Sequence, residues 1–320
     1  MFKKVALLIA AMGLSAASLA QSWPERPVTI VVPFPAGGGT DTFARPLAAQ
    51  LSKQLGKQIL IDNRGGAGGT LGAGIAAKAS PDGYTFFIGG AHHAIAPWIY
   101  PKLDYHIQKD FIPITVIATP PQVIVVNTQR VPVSDLKSFV EYAKKNPGKV
   151  NFASAGNGTS HHLAGELFKI QTKTDLIHIP YRGAGPALQD LVGGQVDMMF
   201  DGLGSSASHI KGGRIKALAV ASTKRAPGFP DVPTTAEAGV PGYEVSTWYA
   251  LWAVKGTPPQ IVERMAAETQ KALASPEIKA RWHEAGSEVP QMSQQEFATM
   301  LESEIARWGN VVKQANVKLE

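Results

Sequence analysis

The sequence predicts an α/β protein of two doubly wound domains, joined by crossover strands, with a ligand cleft between them. Three observations carry this expectation. Strand-like runs alternate with helix-like runs from residue 28 onward, which implies β-loop-α units and mostly parallel sheets covered on both faces. The chain has 320 residues, room for two domains at roughly 100 to 200 residues each. One extended stretch, 112–126, is interrupted by Pro120-Pro121, as suits a strand that leaves one sheet, crosses a hinge and enters another.

In chain order, residues 1–20 read as an export leader. Lys3 and Lys4 precede an apolar run, and Ser18-Leu19-Ala20 puts small residues at the cleavage positions, so the mature chain is expected to begin near Gln21. The run is broken by Gly13 and Ser15 and is shorter than the roughly 20 residues of a bilayer-spanning helix. A β-branched strand at 28–33, a Gly-rich turn and a helix at 41–55 follow. The unit recurs as strand 58–62, Gly-rich 65–69, helix 71–79, the turn Pro81-Asp82-Gly83 and strand 84–88. Beyond the crossover come helix 133–145, strand 150–154, helix 160–171, strand 176–180, helix 184–193 and strand 196–201. The apolar strand 214–222 is expected to carry the return crossing; strand 248–254 and helices from 258 complete the chain. The Pro- and Gly-rich stretch 226–242 reads as a surface loop of the returning domain. The expected division is thus a leader at 1–20, a first domain of 21–121 with 223–320, and a second of 122–222.

Composition excludes several classes. With no cysteine there is no disulfide framework, thiolate metal site or cysteine nucleophile. Lys and Arg number 31 against 25 Asp and Glu, and removing Lys3 and Lys4 lowers the formal charge from +6 to +4. The excess is scattered, unlike the basic stripe of a nucleic-acid binder, and gives a weak bias toward anionic ligands.

The loop Pro33-Phe34-Pro35-Ala36-Gly37-Gly38-Gly39-Thr40-Asp41 lies between a strand and a helix. Its glycines let backbone N–H groups approach a ligand, and a helix N-terminus favours an anion. It is neither a phosphate-binding Walker loop nor a dinucleotide fingerprint. A tight turn capped by Thr40 or Asp41 would use the same residues. The Gly-rich stretch from Asn63 to Thr70 runs on into small residues, which favours close helix-to-sheet packing over binding.

In the second domain, Ser154-Ala155-Gly156-Asn157-Gly158-Thr159-Ser160-His161-His162 again follows a strand and opens a helix. Its hydroxyls and N–H groups suit a carboxylate. A hydrolase with Ser154 or Ser160 as nucleophile, His161 as base and Asp201 as orienter is the sharper alternative, but the G-x-S-x-G elbow fails at Phe152. The pairs His92-His93 and His161-His162 are adjacent residues that rarely share one ion, so no metal and no cofactor are expected. Tyr181-Arg182-Gly183 sets an aromatic, a cation and a backbone nest at a helix start. Asp201, ending an apolar strand, needs a donor at the cleft or caps the next helix. Trp248-Tyr249 could wall a pocket or pack in a core.

Together the loop from Pro33 to Asp41, Asn63-Arg64-Gly65-Gly66-Ala67-Gly68-Gly69-Thr70 with Pro81-Asp82-Gly83-Tyr84, the 93–97 segment, Tyr181-Arg182-Gly183 and the 197–201 strand resemble the Bug family, the periplasmic receptors of tripartite tricarboxylate transporters. The resemblance runs from about Pro27 to the C-terminus. It implies a type II periplasmic binding-protein fold, no enzymatic activity, and a small carboxylate (dicarboxylate, acidic amino acid or aromatic acid) held between lobes and passed to transporter membrane subunits. It also implies a periplasmic monomer. The implied grips are Phe34, Ala36, Gly37, Gly38, Gly39 and Asp41, aided by ordered water, and opposite them Ser154, Gly156, Asn157, Thr159, Ser160 and His161. His92, Tyr181, Arg182, Gly183, Asp201 and Trp248 complete the expected contacts. His92 stands where a small hydroxyl residue is common in the family, and Arg182 where lysine is common. A ligand sensor serving a signalling partner would share this site.

Overall fold

The computed structural model describes residues 23–315, so the leader and its cleavage lie outside the described residues. Ten strands form two five-stranded sheets among these residues. The first holds β1 (Val28–Val32), β2 (Ile59–Asn63), β3 (Thr85–Gly90), β4 (Phe111–Ala118) and β10 (Tyr249–Val254), in the order β2-β1-β3-β10-β4. The second holds β5 (Gln122–Val126), β6 (Val150–Ser154), β7 (Leu176–Pro180), β8 (Met198–Gly202) and β9 (Lys216–Val220), in the order β7-β6-β8-β5-β9. The two orders are equivalent. Each sheet has its second, first and third strands side by side, then one strand antiparallel to its neighbours (β10 or β5), then the fourth. The inserted strand of each sheet comes from beyond a crossing.

Helices cover the sheets where apolar residues recur at helical spacing. After β1, α1 (Gly39–Leu55) buries Phe43, Ala44, Leu47, Ala48 and Leu51, and ends on Gly56 in the left-handed region at φ 68°. α2 (Thr70–Ala77) and α3 (His92–Ile99) flank β3. α4 (Leu136–Lys145) starts three residues inside the stretch read as helical from Val133, because Asp135 accepts from the Ser138 N–H at 2.7 Å and caps the helix there. α5 (Ser160–Thr172), α6 (Ala184–Val192) and α7 (Leu203–Lys211) follow β6, β7 and β8. The C-terminal α8 (Pro259–Ala274), α9 (Pro276–Glu284) and α10 (Gln294–Ala315) return to the first sheet. The strands β5, β8 and β10 are buried at every position, as strands covered on both faces must be.

The outward crossing is where the proline pair suggests, between Ala118 and Gln122. The return crossing differs from the sequence expectation. β9 stays in the second sheet, and the chain comes back at 245–247, antiparallel to the outward segment. The Gln122 N–H donates to the Val245 carbonyl at 3.2 Å, and Pro121 bridges Ser246. The stretch 226–242 therefore wraps the second sheet. Ala226, Phe229 and Val232 join its core, and the Thr235 N–H donates to the Val220 carbonyl at 2.9 Å.

Candidate functional site

The two lobes meet over a small cavity of about 20 Å³, room for about one water. Its walls are the start of α1 (Gly38, Gly39, Thr40), the start of α5 (Thr159, Ser160, His161), Ala184 at the start of α6, and Phe34, His92, Ala155, Thr247 and Tyr249. Two long helices from opposite lobes thus point their N-termini at one space. Their orphan N–H groups and dipoles favour an anion there. α1 leaves these donors uncapped by any side chain, since its N-cap is Gly38. In α5 the Thr159 hydroxyl caps the His162 N–H alone.

The first loop is shaped by Asp41, which faces away from the cavity. Its carboxylate accepts from the Gly37 N–H at 3.1 Å, Arg45 Nε at 2.8 Å and Asn63 Nδ2 at 3.0 Å, and Asn63 also donates to the Phe34 carbonyl. Asp41 braces the loop and leaves its far side to the ligand space. Gly39 fits closely here: a Cβ would run into the buried Tyr249 side chain. Across the cleft, a Cβ on Gly185 would meet the Ala36 carbonyl and the Gly37 backbone, so the lobes close backbone to backbone at this point.

The second loop is held from behind by Ser154. Fully buried, its hydroxyl bonds His178 Nε2 at 2.6 Å and accepts from the Gly156 N–H at 3.1 Å. His178 stacks on His162, with centroids 4.0 Å apart, and burial pushes its pKa down to about 3. Asn157 is exposed, and its carbonyl accepts from Tyr100 of the first lobe. Ser154, Gly156 and Asn157 therefore build the loop, while Thr159, Ser160 and His161 face the cavity.

Between the loops lies a buried polar cluster. His92 is 5% exposed, its Nε2 has no partner, and its ring meets Phe34 edge-on with centroids 4.7 Å apart. Burial, followed by the neighbouring His93 and His161, holds it well below the ordinary histidine range. His161 is also lowered by burial, opposed by Asp201. Asp201 is fully buried and raised by burial, an effect offset by His161, Ser206 and Ser205. Its Oδ2 accepts from the hydroxyls of both serines on the first turn of α7, which is not side-chain capped, since its N-cap is Gly202; Asp201 stands behind the cavity wall rather than in it.

Several expected contacts lie elsewhere. Ala36, Gly37 and Arg182 are exposed outside the cavity, and the Tyr181 hydroxyl donates to Asp190 at 2.7 Å. Gly183, at φ 143°, sits against Pro35. Trp248 does not wall the pocket. It packs on Trp252 and Phe297, and its Nε1 donates to Glu304 at 2.9 Å. Tyr249, with Thr247, which the sequence did not single out, takes that wall because side chains alternate along an extended strand. That alternation was the available signal. Among the described residues no hydrogen bond joins Ser154 or Ser160 to His161, and no group of three metal-ligating side chains is present.

Residues 43–317 match the tripartite tricarboxylate transporter family receptor, TctC. The chain is 35% identical over 318 residues to Protein BugT of Bordetella pertussis, covering 99% of this chain and 97% of that one. A solved R. palustris protein with adipate shares 39% identity at a TM-score of 0.89, over 93% of this chain and 100% of the other. MatC from Rhodopseudomonas palustris, with bound malate, shares 39% at a TM-score of 0.85, over 91% and 100%. Strand order, opposed helix N-termini and these likenesses agree: the chain belongs to the TctC or Bug family of periplasmic solute-binding receptors of tripartite tricarboxylate transporters.

Proposed function

We propose that this receptor captures a small carboxylate, dicarboxylates foremost, by closing its lobes around it, and delivers it to the membrane subunits of a tripartite tricarboxylate-type transporter. The observation that carries the reading is the pair of helix N-termini, α1 and α5, aimed from opposite lobes into one cavity. Two anionic ends of one ligand would each meet a set of backbone donors, with Thr40, Thr159 and Ser160 hydroxyls beside them. Neighbours solved with adipate and malate support the ligand class.

The cavity of about 20 Å³ is far smaller than such a ligand. Entry therefore requires the lobes to part, and the paired segments 119–122 and 245–247 are the natural hinge. The first lobe then comprises the chain up to 121 together with the part after the return crossing, and the second the part between. Export with cleavage near Gln21, action as a monomer, and release of the ligand chemically unchanged belong to the same reading.

A thermal-shift screen tests it, using protein unfolded and refolded to strip carried-over ligand, against mono-, di- and tricarboxylates, amino acids and aromatic acids. A dicarboxylate at 100 times its Kd should add about 2.7 kcal/mol of stability and be recovered intact. No shift with any carboxylate, or consumption of the compound, overturns the reading.

A further inference from the structure

The cavity has no permanent cation in its walls: its polar side chains include Thr40, His92, Ser160, His161 and Tyr249, but no lysine or arginine. Directly behind it stands a carboxylate. Asp201 Oδ1 is 3.7 Å from His161 Nδ1, both groups are buried, and neither of these two atoms has a hydrogen-bond partner. An anionic ligand entering in front of His161 would face the negative charge of Asp201 across one imidazole ring, and buried like charges strongly disfavour each other. A proton on the ring removes the conflict. It would bond Nδ1 to Oδ1 after an approach of under about 1 Å, and leave the other ring N–H to donate into the cavity.

We propose that the His161–Asp201 pair takes up one proton when the lobes close on a dicarboxylate, making capture proton-linked. The inference rests on the carboxylate reading above. The proposed starting state is neutral His161 beside ionised Asp201; burial lowers His161 and raises Asp201, while each opposes that effect on the other. The titratable groups packed around the pair supply no substitute proton. His92 of α3 acts electrostatically with His161 and is kept neutral by burial, as is His93 behind it, which is held at about 3. Tyr249 of β10 feels Asp201 and is held protonated by burial. His209 of α7, on the far side of Asp201, is lowered by burial and by Arg214. The ligand is therefore the group that changes the charge around the pair.

Because the proton is gained on forming the complex, affinity is highest on the acid side. It falls by about tenfold per pH unit through the window between the pair's free and bound values. The test is calorimetric titration of the stripped mature protein with malate and with adipate, between about pH 6 and 8, in buffers of differing ionisation enthalpy. The expected result is a heat that varies with the buffer in proportion to an uptake approaching one proton. That dependence disappears in His161→Gln and in Asp201→Asn and persists in His92→Gln. If Asp201→Asn does not fold, His161→Gln decides alone. Heats that are the same in every buffer, or a dependence that survives His161→Gln, overturn the proton linkage and leave the carboxylate reading standing. No heat and no melting shift with any acid overturns both.

Discussion

The Tyr100 hydroxyl, at the end of α3, donates to the Asn157 carbonyl at 2.9 Å and so joins the first lobe to the second loop across the mouth of the cleft. Under the proposed closure the bond forms only when the lobes shut. A neutral hydrogen bond contributes about 0.5 to 1.5 kcal/mol net, so Tyr100→Phe is expected to weaken ligand binding about twofold to tenfold. Calorimetry reads the loss, and small-angle scattering should show a larger open fraction for the variant without ligand. An unchanged affinity would mean the bond does not help closure.

Gly39→Ala forces a methyl into the Tyr249 ring at the start of α1. Overpacking of this kind costs about 1 to 3 kcal/mol, and here it also displaces the donors of the first loop. A lower melting temperature together with weaker ligand binding is expected. Adding Tyr249→Phe removes the hydroxyl that the methyl meets first and should recover part of both, a coupling that a double-mutant cycle measures.

Ser154→Ala removes the support of the second loop, leaving His178 Nε2 and the Gly156 N–H without their shared partner. A loss of about 1 to 3 kcal/mol in unfolding free energy is expected, since buried groups are left unsatisfied. Ser160→Ala, by contrast, should cost affinity with little effect on melting, because its side chain lines the cavity.

Stability should fall on acidification through the buried histidines, His178 and His93 among them. Burial holds His178 and His93 each at about 3, against an ordinary value of 6.5. Below 6.5 the unfolded chain binds protons that the folded chain refuses, so stability is fully present above that value and is lost as pH falls toward 3. Each histidine contributes a slope of up to about 1.4 kcal/mol per pH unit in that window. Denaturant midpoints across the range test this, and His178→Gln should reduce the slope by up to about 1.4 kcal/mol per pH unit.

Glu304 accepts from the indole N–H groups of both Trp248 and Trp308, at 2.9 and 3.1 Å. Glu304→Ala strands two donors beside buried rings and is expected to cost about 1 to 3 kcal/mol. Glu304→Gln keeps a carbonyl acceptor and should cost less. Equal losses in the two variants would assign the effect to packing.

Most of the architecture was legible because each β-loop-α unit announces itself locally, by a β-branched run, a glycine turn and a helical repeat. The glycine loops pointed to the cavity, and Gly38, Gly39, Thr159, Ser160 and His161 line it. What local pattern could not give was partnership between distant segments. The return crossing at 245–247 is defined by bonds to Pro121 and Gln122, and nothing nearby in the sequence marks it. α3 carries Pro97 and opens on two histidines, so its helical character was hidden. Asp41 looked like a ligand contact because a carboxylate in a loop reads the same whether it faces inward or, as here, toward Arg45 and Asn63.

The exchange of inserted strands sets an order of assembly for a chain that emerges from its N-terminus. The second sheet is complete once β9 has appeared, since all five of its strands lie within 122–220. The first sheet is not: β4 pairs only with β10, more than 130 residues later. Until those last segments arrive, β3 and β4 each offer an open edge that could pair with another chain. The N-terminal lobe, although synthesised first, is therefore finished last, and the interval before β10 arrives is when the nascent protein most needs protection from aggregation.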